Sequence, residues 1–188
     1  EVVGEVKKLV FTRKQVYNLQ EGNDQELLGN VMQLYDIRYF EVCPHCNKRT
    51  RPENNIFKCP THGEIQPSFS YVTNAVLDDG TGSIRTVFFA NQLQNLTGES
   101  HENLLGFKQD PPAFDAVKKK LLGKIIKVSG RATKNKMFDR IEFVANRVNT
   151  DPDATEELNR HRKQTVTATD SKGQEVVKEI PVVEEVNE

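Results

Sequence analysis

The chain has no tryptophan, only two methionines and only three cysteines among its 188 residues. Aromatic residues make up 7%, so a surface that works by ring stacking must draw on a few phenylalanines and tyrosines. No apolar run approaches the ~20 residues of a membrane-spanning helix. No His-Glu-x-x-His occurs, no His-x-Glu of the deaminase kind stands near the cysteines, and no glycine-rich phosphate loop is present. These absences leave an enzyme the least supported class. Asp78-Asp79 and Asp151/Asp153 offer oxygen ligands for Mg²⁺, but turns and a helix cap account for them. Hydrophobic residues are 36% and charged residues 28%, which fits one domain with attachments or two small ones. The chain opens on Glu1 rather than Met, and it is expected to be part of a longer protein.

All three cysteines stand in one pattern. Cys43-x2-Cys46 is followed after twelve residues by Cys59-x2-His62. Two close pairs of soft ligands on tight turns, joined by a short loop, are what tetrahedral Zn²⁺ requires. A disulfide scheme would leave one cysteine over, and a redox Cys-x2-Cys would not explain the second pair. Four good ligands close the coordination sphere, so the expected ion is structural, without the open position that catalysis needs. His45 is a further imidazole inside the first knuckle; it either competes as a ligand or faces solvent. Reduced, metal-bound cysteines point to an intracellular compartment.

Apolar alternation places the elements. Residues 1–28 read as a lead-in, with alternation at Val2, Gly4 and Val6. Residues 30–42 read as one long strand running into the first knuckle. Residues 68–77 and 84–90 read as a hairpin, because Gly80 and Gly82 permit a tight turn. Residues 92–96 suggest a short helix. Residues 113–122 form another, with Phe114, Val117 and Leu121 on one face. Residues 124–130 and 137–148 read as two more strands joined by a basic loop at 131–136. Asp151 as N-cap and Pro152 at the first position start a last helix over 154–164, and an acidic tail follows from 165. The predicted fold is mainly β. Five strands with a helix between the third and fourth is the OB-fold arrangement. The barrel covers 29–150, with the zinc ribbon (43–63) inserted between strands 1 and 2 and a C-terminal helix after it.

Charge is uneven. Residues 118–147 carry ten basic side chains against Asp139 and Glu142, a local charge of +8, whereas residues 165–188 carry −4. A basic segment beside an acidic tail suggests a polyanionic partner.

Tyr39-Phe40-Glu41-Val42-Cys43-Pro44-His45-Cys46, then Val76-Leu77-Asp78-Asp79-Gly80-Thr81-Gly82-Ser83-Ile84-Arg85, resembles the C-terminal domain of the replication protein A large subunit, archaeal versions above all. The stretch from Gly130 through Phe138-Asp139-Arg140-Ile141-Glu142-Phe143 to Val148, followed by a Pro-led helix, is similar to it as well. The likeness covers residues 29–164. It departs in having Cys3His where the family has four cysteines, a swap that zinc tolerates. The resemblance implies single-stranded DNA binding, with no catalysis. It also implies a C-terminal helix that bundles with two smaller OB-fold subunits, and a role in replication, repair and recombination. The protein would then lie in the nucleoid or cytoplasm if archaeal, in the nucleus if eukaryotic.

Single strands are held by a basic groove with aromatic side chains on which bases stack. In residues 84–89, Arg85, Val87 and Phe89 share one strand face, while Ile84 and Phe88 share the other. Phe138 falls in register with Arg140 and Glu142, opposite Ile141 and Phe143. The resemblance assigns DNA contact to Arg85, Phe89 and Phe138, and it implicates Lys134 in the basic loop. Arg140, beside Phe138 on the polar face, is a candidate as well; Arg38 and Tyr39 are further candidates, or else pack on the ribbon. Phe57 is expected in the ribbon's small core. In the last helix Ala154 and Leu158 make a thin apolar stripe, so its role as a subunit interface rests on the resemblance. Two alternatives stay open: a scaffold with DNA binding elsewhere, and an RNA-binding OB protein.

Overall fold

The computed structural model describes residues 11–165. The alternation at Val2, Gly4 and Val6 and the acidic tail beyond Thr165 lie outside the described residues. Strands run over Thr12–Arg13 (β1), Gly22–Leu34 (β2), Arg38–Val42 (β3), Arg51–Glu53 (β4), Ile56–Cys59 (β5), Gly63–Ile65 (β6), Ser68–Asp78 (β7), Ser83–Phe89 (β8), Ile125–Asn135 (β9) and Arg140–Asn149 (β10). Helices cover Ala90–Thr97 (α1), His101–Gly106 (α2), Phe114–Leu121 (α3) and Ala154–Thr165 (α4). The described chain divides into two compact units, one ending at Asp151 and the other beginning at Pro152.

In the first unit the large sheet runs β1-β2-β9-β10-β8-β7-β3, and β2 also pairs with β7. That extra pairing closes β2-β9-β10-β8-β7 into a five-stranded barrel, the OB topology. Every barrel contact is antiparallel except β8 with β10, which join in parallel at Thr86–Phe143 and Val87–Val144. Leu27, Val31, Tyr71, Leu77, Phe88 and Phe143 fill the interior at 0–1% exposure. Helix α1 adds Leu93 and Leu96 to this core, and α3 adds Phe114, Val117 and Leu121, the face its spacing predicts.

The single strand expected over residues 30–42 is two. Strand β2 starts at Gly22; its first half pairs with β9 and its end with β7. Strand β3 then pairs with the other half of β7. The break at residues 35–37 lies where Thr73 Oγ1 donates to the Tyr35 carbonyl at 2.7 Å and Tyr35 N–H donates to the Asn74 carbonyl at 2.9 Å. Numbered along the chain, the cluster follows β3 and ends at His62, between β5 and β6; within the barrel it lies between β2 and β7. The polar start of β2 has low intrinsic strand preference, but tertiary partners hold it. Glu26 is buried, accepts from Arg13 Nη2 at 2.8 Å and from Ser129 Oγ at 3.3 Å.

The basic segment 131–136 is likewise strand for most of its length, because β9 extends to Asn135 and the turn falls at residues 136–139. In the second unit, α4 starts at Ala154 as expected but is capped two residues later than expected. The Asp153 carboxylate, not that of Asp151, accepts the Glu156 N–H at 2.8 Å.

Candidate nucleic-acid interface and metal centre

The groove is built on strand alternation. On β8, Ile84, Thr86 and Phe88 are buried, leaving Arg85, Val87 and Phe89 on the outer face. Antiparallel pairing sets Val72 opposite Phe89 and Asn74 opposite Val87 on β7, and Arg38 of β3 opposite Val72. From the other side of the barrel, the β9–β10 hairpin contributes Asn135, Phe138, Arg140 and Glu142. Together these residues line a groove of about 400 Å³.

Five of the seven residues expected to meet nucleic acid thus come together: Arg38, Arg85, Phe89, Phe138 and Arg140. Phe89 is 45% and Phe138 60% exposed, so neither ring belongs to the core. The Arg140 guanidinium lies 4.8 Å from the Phe138 ring centre, and that of Arg85 lies 4.8 Å from the Tyr35 ring. Each guanidinium thus packs against an aromatic ring.

Tyr39 and Lys134 are placed elsewhere. Tyr39 follows Arg38 on β3 and so faces the opposite way. Its hydroxyl donates to the Leu104 carbonyl at 2.7 Å, and its ring meets Tyr71 edge-on at 6.3 Å. Burial, then the neighbouring Tyr71, push its phenol up from the ordinary value. Lys134 pairs across the hairpin with Ile141, off the groove face, and its Nζ lies 2.6 Å from Asp139. In the second unit, Ala154 is exposed and Leu158 is 62% exposed.

Three polar groove residues were not singled out from sequence: Asn74, Asn135 and Glu142. Glu142 Oε1 accepts from Arg140 Nε at 3.1 Å and Nη2 at 2.9 Å, and Oε2 accepts from Asn135 Nδ2 at 3.0 Å. Burial acts to raise the Glu142 carboxyl. The hydrogen bonds from Asn135 and Arg140, with the charges of Arg140 and Arg85, outweigh it and hold the group below its usual range. A carboxylate depressed on folding stabilises the protein fully above the unfolded-state value. That contribution is lost as pH falls through the folded value. Glu142→Gln is therefore expected to flatten the acid side of the stability profile, read as Tm between pH 3 and pH 6; an unchanged slope there would show that Glu142 is not linked to folding.

The four residues expected as metal ligands come together. Cys43 follows β3, and the Asn47 N–H closes its knuckle on the Cys43 carbonyl at 2.9 Å, with Asn47 at φ 54°. Cys59 ends β5, and Gly63, at φ 68°, turns the chain just after His62. The ligand atoms of Cys43, Cys46, Cys59 and His62 all lie within 4.8 Å of one another. Cys43 Sγ and Cys59 Sγ each stand 3.5 Å from His62 Nδ1, and Cys46 Sγ stands 3.6 Å from Cys59 Sγ. A tetrahedral ion with metal–sulfur bonds of ~2.3 Å sets its ligands about 3.5–3.8 Å apart, so the cluster can hold a metal. His45 is outside the group, its ring 5.2 Å from that of His62. A hydrogen bond from the Thr61 N–H, supported by His62 and acting against burial, lowers the Cys59 thiol to about 6. The Cys46 thiol goes the other way: a Lys48 backbone bond lowers it, but burial and hydrogen bonds to Cys59 and Cys43 prevail.

Fold and site define an OB barrel that carries a Cys3His ribbon at one end and an arginine–phenylalanine groove on its face. Among solved structures, a replication protein A heterotrimer bound to single-stranded DNA is similar, with a TM-score of 0.64 and 18% identity over 83% of this chain. The chain spans 40% of the length of that matched chain. Yeast replication protein A bound to single-stranded DNA has a TM-score of 0.62 and 18% identity over 84% of this chain and 98% of its own. No protein-family model matches the chain, and no curated protein matches it in sequence.

Proposed function

We propose that the chain binds single-stranded DNA and serves as a binding and assembly module of a replication protein A-like complex acting in replication, repair and recombination. The observation that carries this reading is the groove. Three arginines supply charge for the backbone, and Phe89 and Phe138, on opposite walls, supply exposed rings on which bases stack. The outer face of the second and third barrel strands and the last hairpin is where OB folds take oligonucleotides. The cluster holds structural Zn²⁺, suited by its donor set of three thiols and one imidazole. Helix α4, through Ala154 and Leu158, meets two smaller subunits. The protein works inside the cell.

The test is a titration against single-stranded DNA, duplex DNA and RNA over a range of salt. Preference for single-stranded DNA, with log affinity linear in log salt, supports the reading. Preference for RNA replaces it with an RNA-binding OB protein. No binding to any of them, with stable co-purification of two smaller subunits, makes the chain a scaffold.

Stacking contributes about 1–3 kcal/mol per base. Phe89→Ala and Phe138→Ala are each expected to weaken single-strand binding about tenfold at unchanged Tm, since neither ring is in the core. Unchanged affinity in both variants would remove the two rings from the interface.

A further inference from the structure

We infer that Arg38 and Arg85, bridged by the buried amide of Asn74, form a clamp for one backbone phosphate, and that Glu142 opposes the anion bound there. This deepens the single-strand reading and rests on it.

Strands β3, β7 and β8 lie side by side, so Arg38 and Arg85 flank Asn74 on the middle strand. Asn74 is 3% exposed. With its amide oxygen turned toward the guanidiniums, it accepts from Arg38 Nη2 at 3.1 Å and from Arg85 Nη2 at 2.8 Å. Two like charges sharing one acceptor atom repel each other, and a neutral amide orients them without cancelling either charge. Among the described residues no carboxylate pairs with Arg38. Arg85 has only Glu142, at 3.9 Å, beyond hydrogen-bond reach.

Glu142 is already committed to the fork of Arg140 and to Asn135. Arg38, Arg85, Arg140 and Glu142 together therefore carry a net charge of +2. Val72 and Val87 line the groove beside the clamp, and the Arg85 guanidinium packs over the Tyr35 ring. Two oriented guanidiniums with unspent charge beside an apolar wall suit a phosphodiester, whose two free oxygens accept one edge from each. Phe89, on the same face of β8 two residues beyond Val87, is placed to stack the attached base.

Roles follow from the geometry. Asn74 positions the pair. Glu142 restrains Arg140 and lowers the local potential, so the groove is tuned below its full charge.

Two near-isosteric changes test this with opposite signs. Asn74→Asp puts a carboxylate where the phosphate charge belongs; it is expected to weaken oligothymidylate binding about tenfold. The slope of log affinity against log salt should shrink by about 0.7, the value of one neutralised phosphate on a single strand. Glu142→Gln is expected to tighten binding several-fold and steepen that slope. A purely structural role for Asn74 would lower Tm and leave the salt slope unchanged, and would overturn the clamp. So would a Glu142→Gln variant whose affinity and slope equal those of the wild type. If wild-type protein does not bind oligothymidylate at all, both this inference and the single-strand reading fall.

Discussion

With zinc in the Cys43, Cys46, Cys59 and His62 cluster as proposed, stripping it is expected to unfold the ribbon while the barrel stays folded. The ribbon has almost no core of its own. Between residues 47 and 66 only Thr50 and Cys59 are buried, and Phe57, expected at its centre, is half-buried against Pro52 and Ile65. The sheet β4-β5-β6 has three short strands and lacks the buried hydrophobic face that a small sheet needs to be stable on its own. Structural zinc binding contributes apparent free energies of about 10–16 kcal/mol in small metal-dependent modules at neutral pH, far more than any packing visible here. Hydrogen exchange read before and after chelation is the check. Amides at residues 43–65 should lose protection, whereas those of the barrel, at Tyr71–Leu77 and Ile126–Ala132, should keep it. Full ribbon protection after complete metal removal would show that the cluster is not its keystone. Cys59→Ser should reproduce the chelated pattern.

Gly130→Ala should destabilise the barrel by about 3 kcal/mol or more, at the upper end of overpacking penalties. Gly130 sits on β9 between β2 and β10, opposite Gln25 on one side and Ala145 on the other. A Cβ there would meet the Val144 carbonyl oxygen at 2.0 Å, and that oxygen is backbone in a paired strand, unable to swing aside. The register shift between Ala145 and Arg147 brings the two strands this close. Urea unfolding checks the magnitude. Gly106→Ala, at a position where nothing lies within 4 Å, is the control and should be near neutral. Equal midpoints for the two variants would mean that β10 relaxes away from β9 at little cost.

The sequence was most informative where one short rule decides the outcome. Ligand spacing brought Cys43, Cys46, Cys59 and His62 together without any knowledge of the barrel. Period-two alternation sorted Arg85 and Phe89 from Ile84 and Phe88. The same rule separates Arg38 from Tyr39, since neighbours on a strand face opposite ways, and it would have kept only Arg38 for the groove. Asn74 left a trace as a lone amide between Thr73 and the apolar Ala75-Val76-Leu77, but its meaning depends on which strands flank β7. Glu142 acquires its role from Arg140 two residues away and from Asn135 across a turn. The first half of β2 was hidden because buried Gln25 and Glu26 read as loop until Arg13 and Ser129 are seen beside Glu26. For Asn74 and the start of β2 the deciding partner is remote in sequence, whereas those of Glu142 lie within one hairpin.

The parallel join of β8 to β10 has a mechanical consequence. It is the shortest seam of the barrel, made at Thr86–Phe143 and Val87–Val144, whereas β9 and β10 are zipped from Arg140–Asn135 to Asn149–Lys127. Local opening starts where the fewest backbone bonds must break. The groove straddles that seam, with Arg85 and Phe89 on one lip and Phe138 and Arg140 on the other. An occupant gripping both lips acts as a clasp: it resists the opening motion, and the same motion is the one that would release it.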